Sequence, residues 1–158
     1  MPQDLAGTEF ERRRGATTVE IRDGFAQVHV QELTEPIHES RLFVLERIAQ
    51  VGISIDFLKL TTDGLSFLIP EARAELAQRC LSEGGHRFEL HHDRSIVLAN
   101  AVNMRDEEGL IARIVSVAIA TGVPIDHLAD MHDRLLIVVE QSGARQVAHA
   151  IESTRGSE

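Results

Sequence analysis

The chain has 158 residues but only one cysteine, no tryptophan and no tyrosine. A lone Cys80 excludes an internal disulfide and any cysteine-rich metal site. Six Phe are the only large aromatics, so platforms for stacking single-stranded nucleic acid are scarce. Positive charge is also short: 16 Lys and Arg stand against 25 Asp and Glu, a formal net charge of −9. Nucleic acid and anionic lipid both need a basic footprint, so no nucleic acid and no membrane is expected as partner. No apolar run reaches the roughly 18 residues of a membrane span, and the N-terminus shows no signal-peptide core. A soluble, cytoplasmic protein is the expectation.

Catalytic signatures are missing too. There is no G-x-S-x-G, no Cys–His pattern, no H-E-x-x-H and no glycine-rich phosphate loop. The eight histidines do not compensate. His91 and His92 are adjacent and on a strand point to opposite faces, while His127 and His132 stand about 16 Å apart if extended. No cofactor, no metal and no enzymatic activity are expected.

What the sequence does contain is a repeat. Gly52, Ile55, Asp56, Leu58, Asp63 and Leu65 recur seventy residues later, without a gap, as Gly122, Ile125, Asp126, Leu128, Asp133 and Leu135. A period this regular makes the protein two copies of one α/β unit, with function expected where copies meet.

Within each copy the elements follow from period and punctuation. Thr17 to Asp23 and Phe25 to Leu33 alternate as strands, with a hairpin signal at Asp23–Gly24. Leu42, Leu45, Ile48 and Ala49 mark an amphipathic helix that Gly52 stops. Strands 53–60 and 64–69 flank a tight turn at Thr62-Asp63-Gly64, Pro70 opens a second helix, and 86–92 returns as a strand. The second copy repeats the order with strands 95–102, 123–130 and 134–140. Each copy reads β-α-β-β-α, one strand short of the ferredoxin-like β-α-β-β-α-β unit unless a neighbour lends it. The expected fold is therefore α+β: two ferredoxin-like units that share strands, with antiparallel sheets and helices on one face. Boundaries fall at a flexible tail 1–16, a first unit 17–93, a second unit 94–153 and a flexible tail 154–158. Strand 17–23 is the natural completion of the second unit.

The candidate site follows the repeat. Asp56 and Asp126 hold the same position in G-[IV]-x-I-D, as edge carboxylates paired to Arg or as partners for a ligand's ammonium group. The segments Ile53, Ser54, Ile55, Asp56 and Ile125, Asp126 are one half of that reading. The loops before each copy's first helix are the other half: Thr34, Glu35, Pro36, Ile37 and His38, and Arg105, Asp106, Glu107, Glu108 and Gly109. Free N–H groups at a helix start suit a carboxylate, so a loop with a strand end would form an amino-acid site.

These residues resemble a known family. G-I-S-I-D-F-L (52–58), M-R-D-E-E-G-L-I-A-R (104–113) and G-V-P-I-D-H-L (122–128) are similar to the paired ACT domains of the regulatory region of aspartate kinases, over roughly Thr17 to Ser153. Met104, Arg105, Gly109 and Ala112 match the family's loop pattern. The resemblance implies an amino-acid effector, threonine or lysine, at interfaces between ACT units, and a homodimer. It also implies a freestanding form that serves as a regulatory β subunit, hence a partner enzyme. The chain departs from the family at Thr34-Glu35-Pro36-Ile37, where Asp-x-Pro-Gly is usual, at Lys59-Leu60-Thr61, and at Glu108 in place of Pro. The family's C-terminal Gly-Thr-Gly-Arg strand is replaced by S-T-R-G-S-E. A scaffold that has kept the packing but binds no ligand is the alternative.

Overall fold

A computed structural model describes residues 18–101 and 108–156. The elements are β1 (Thr18–Gln31), α1 (Ile37–Gln50), β2 (Asp56–Leu60), β3 (Leu65–Pro70), α2 (Ala74–Glu83), β4 (Arg87–Asn100), α3 (Leu110–Ala120), β5 (Ile125–Asp130), β6 (Arg134–Glu140) and α4 (Gln141–Glu152). Short 3₁₀ turns occupy Glu71–Arg73 and Ser153–Gly156. The chain divides into two compact units, an inner one from Gly24 to Arg94 and an outer one made of the chain up to Asp23 together with that from Ser95 onward.

In the inner unit the hydrogen-bonded strand order is β2-β3-β1-β4, the order of a ferredoxin-like sheet. β3 runs antiparallel to β1, with Val30 opposite Leu65 and Phe25 opposite Pro70, and antiparallel to β2, with Leu60 opposite Leu65 and Asp56 opposite Leu68. Side chains alternate along a strand, so Val28, Val30, Leu65, Phe67 and Ile69 meet Val44 and Ile48 of α1 and Ala77 and Leu81 of α2 in one buried core. Cys80 is buried there as a free thiol. The opposite face of β3 is closed as well: Leu68 and Ser66 are buried, and Gln27 Nε2 donates to Ser66 Oγ at 3.3 Å.

The outer unit has the order β1-β4-β6-β5, with β5 antiparallel to β6. Its core joins Val97 and Ala99 to Leu135, Ile137 and Val139, under Ile114 and Ala118 of α3 and Val147 and Ile151 of α4. The seventy-residue period runs through both cores. Val44 corresponds to Ile114, Ile48 to Ala118, Leu65 to Leu135, Phe67 to Ile137, Ala77 to Val147 and Leu81 to Ile151, and all twelve are buried. At two of these positions a large residue in one copy stands where the other has alanine: Ile48 against Ala118, and Val147 against Ala77.

The hairpin expected at Asp23–Gly24 is absent, and so is the break expected between strands 86–92 and 95–102. Strands 17–23 and 25–33 are one strand, β1, and strands 86–92 and 95–102 are one strand, β4, so among the described residues six strands stand in place of eight. A two-residue I′ turn needs positive φ at both central residues; at Asp23–Gly24 only Gly24 has it, at +89°. The Asp23 carboxylate instead accepts a hydrogen bond from the Ser95 hydroxyl. In β4 only Asp93 is left-handed, at +54°, and its N–H donates to Glu71 Oε2 at 3.1 Å. One left-handed residue kinks a strand but does not reverse it. Pro70 ends β3 and precedes a 3₁₀ turn instead of opening α2 directly. At the far end, the residues expected to fray after Ser153 form a 3₁₀ turn, where Thr154 Oγ1 donates to the Ile151 carbonyl at 2.7 Å.

Candidate ligand cleft of the inner unit

The loop between β1 and α1 is fastened from several sides. Glu32, left-handed at φ +50°, donates its N–H to Asp63 Oδ2 at 3.0 Å, and the Leu33 N–H reaches the Asp63 carbonyl at 2.8 Å. Arg41 of α1 donates from Nε to the Gly64 carbonyl at 3.0 Å and from its second guanidinium nitrogen to the Thr61 carbonyl. Ser40 Oγ donates to the Thr34 carbonyl at 2.6 Å. The Glu35–Pro36 peptide is cis, and Glu35 Oε2 accepts the Ile37 N–H at 3.1 Å. Glu39 lies in the first turn of α1, where negative charge complements the helix dipole.

Beside this loop lies a cleft of about 610 Å³. Thr34, Glu35, Pro36, Glu39, Ser40 and Phe43 form one wall; Gly84, Gly85, His86 and Arg87, where α2 ends and β4 begins, form the other. Arg87 Nη1 pairs with Glu32 Oε2 at 2.9 Å across it. The Phe43 and His86 rings are 6.0 Å apart, tilted by 57°, and the Arg47 guanidinium sits 5.5 Å from the Phe43 centroid. Gly84 makes room for His86: a Cβ there would stand 2.8 Å from the imidazole Cδ2. Partial burial, and after it the charge of Arg47, push the His86 imidazole below its usual value of 6.5, so the ring is neutral at pH 7.

Of the residues singled out from sequence, Thr34, Glu35 and Pro36 line this cleft, whereas Ile37 and His38 begin α1 beside it. Ile53 is buried in the core, and Ser54, Ile55 and Asp56 lead into β2. Asp56 pairs in register with Leu68, whereas the loop follows the end of β1, where Val30 faces Leu65 and Leu65 faces Leu60. Within one inner unit the loop and Asp56 are thus at opposite ends of the sheet, roughly 15 Å apart along β2. Asp56 is exposed, and its carboxylate makes no hydrogen bond or ion pair among the described residues. In the outer unit Ile125 and Asp126 begin β5, and Glu108 and Gly109 precede α3, with Gly109 left-handed at φ +79°. Arg105, Asp106 and Glu107, together with Met104, lie outside the described residues.

Sequence reasoning missed the second wall. Gly84-Gly85 reads only as a helix stop and His86-Arg87 as a strand start. The β-α-β-β-α-β connectivity itself carried the signal, because it brings the start of α1 and the start of β4 to one end of the sheet. Among the described residues no group of three His, Cys, Asp or Glu is arranged to hold a metal, and no helix is long and apolar enough to cross a membrane.

Two ferredoxin-like units, each completed by part of a long strand, β1 or β4, define a class of fold that solved structures share. The regulatory subunit of aspartate kinase from Thermus thermophilus, in its ligand-free form, superposes with a TM-score of 0.75 at 18% identity, over 85% of this chain and 94% of that one. Aspartokinase III of E. coli, solved in complex with lysine and aspartate, matches with a TM-score of 0.70 at 15% identity, over 87% of this chain and 32% of the enzyme. In sequence, aspartokinase 1 of Bacillus subtilis strain 168 is 25% identical over 108 residues, 68% of this chain but only 27% of the relative's length. No family model matches. The fold is that of the regulatory subunits and domains of aspartate kinases.

Proposed function

We propose that this chain is a non-catalytic regulatory module of the ACT class that binds an amino acid, or a small metabolite like one, where the inner units of two copies meet. The observation that carries this reading is that the loop and the Asp56 carboxylate stand at opposite ends of the inner-unit sheet, with Asp56 on its exposed edge strand. β2 is the outermost strand of the inner unit. It carries Asp56 at one end and presents Leu58 and Leu60, 48% and 58% exposed. An unpaired edge with apolar side chains invites a partner. A twofold axis perpendicular to β2 at that edge sets the copies antiparallel, which places the Asp56 end of one beside the loop end of the other. An ammonium group held there would meet a carboxylate. The nearly end-to-end fold match to a regulatory subunit, and the amino acids in the aspartokinase III complex, support the same reading.

A homodimer is thus part of the proposal. Leu58→Asp with Leu60→Asp should convert the dimer to a monomer by light scattering and abolish any thermal-shift response to amino acids. A wild-type chain that is monomeric at working concentration sinks the proposal. One observation favours a second reading, a ligand-free module docked on a partner enzyme: Glu35 already occupies the Ile37 N–H that a ligand carboxylate would use. Silence toward all twenty amino acids, with retained dimerisation, would select it.

A further inference from the structure

We propose that the inner-unit cleft binds a small organic cation, a primary ammonium or guanidinium on a short apolar stem that bears no carboxylate. The cleft, at about 610 Å³, has the size of small-molecule sites. Its lining carries three carboxylates, Glu32, Glu35 and Glu39, against one guanidinium, Arg87, which is committed to Glu32 at 2.9 Å. The backbone donor that an anionic ligand would seek, the Ile37 N–H, is closed by Glu35. Glu39 stays exposed at the rim, without a hydrogen bond or ion pair among the described residues.

Phe43 supplies the second half of the recognition. Phe43 is 49% exposed on the cleft wall, and Arg47 already lies 5.5 Å from its ring centroid. The ring therefore engages one cation from within the fold, and its open side can pack a ligand's stem while the charged end reaches Glu39. The neutral imidazole of His86 beside it adds area without repelling a cation. Every residue involved belongs to one unit of one copy, so this inference does not depend on the dimer site or on Asp56.

The test uses the whole chain and simple probes: putrescine and agmatine, with succinate as an anion of comparable length and sodium chloride at matched ionic strength. Saturable binding by calorimetry is expected for both amines and not for succinate. Glu39→Gln should weaken it at least tenfold while lowering the unliganded melting temperature only slightly, through loss of a charge at the start of α1, and Phe43→Leu should weaken it severalfold. No saturable amine binding at millimolar concentration overturns the proposal, and so does amine binding that Glu39→Gln leaves intact. Leu58→Asp with Leu60→Asp should not affect amine binding, which separates failure here from failure of the dimer site.

Discussion

The two units share a core plan and differ at one corner. From the first helix of each to its last, the inner and outer units keep the seventy-residue offset, down to the left-handed glycines, Gly52 at φ +75° and Gly122 at +78°, that end α1 and α3. Both also keep the hairpin closure, in which the Thr61 N–H reaches the Gly64 carbonyl at 3.1 Å and the Met131 N–H that of Arg134 at 2.8 Å. Upstream the period breaks. Five residues join β1 to α1, and nine join β4 to α3. The short inner loop is held down by Asp63, Arg41 and Glu35; at the outer positions equivalent to Arg41 and Gly64 stand Ile111 and Arg134. Packing constrains the repeated part, where a residue can change only if its neighbours compensate, whereas a loop can diverge without cost to the core.

The sharpest way to break the comparison is at the turn. A Cβ on Gly64 would stand 1.8 Å from the Val30 carbonyl oxygen, a backbone atom that cannot step aside, while its counterpart is already Arg134. Gly64→Ala should therefore cost roughly 3 kcal/mol or more in chemical denaturation, and Arg134→Ala no more than about 0.5 kcal/mol. Equal losses would mean the two turns are built alike.

A second pair sharpens the core correspondence. Ile48 and Ala118 hold the same position, both fully buried. Ile48→Ala should cost about 3 kcal/mol by leaving a cavity, and Ala118→Ile about 1–3 kcal/mol by overpacking. If the two units compensate volume independently, the double swap should show no coupling beyond about 0.5 kcal/mol.

The smallest effect is in pH. His86 has its folded value lowered, so the fold prefers the neutral ring, and the unfolded chain binds more protons between the folded value and 6.5. That contribution is fully present above pH 6.5 and is lost as pH falls through the folded value. Thermal scans from pH 7.5 to 5 should show His86→Asn with a shallower decline than the parent; identical slopes would mean that His86 is not held neutral by the cleft wall.

Much of this architecture was legible because burial writes itself into the sequence as periodicity. Gly52 with Gly122 and Leu65 with Leu135 exposed the repeat before any coordinate did. Strand continuity was not legible, since Asp23–Gly24 has the composition of a turn and only the backbone of the folded chain shows a kink. The cleft was half legible. Thr34, Glu35 and Pro36 follow from a loop before a helix, but Phe43 reads as an ordinary apolar helix residue, and only tertiary structure sets it opposite His86.

β1 and β4 each contribute one stretch to the inner unit and another to the outer. During synthesis the inner unit is complete as a sequence once Arg94 has left the ribosome. Residues Thr18 to Asp23, already made, belong to a unit whose last helix ends only at Glu152. The outer unit thus cannot be released by any single cut at its borders, and a gene fragment starting at Gly24 would yield a complete inner unit and an outer one lacking its edge strand. Exchanging the inner unit by recombination would therefore cut through the middle of two strands, β1 and β4, rather than through a linker between the halves.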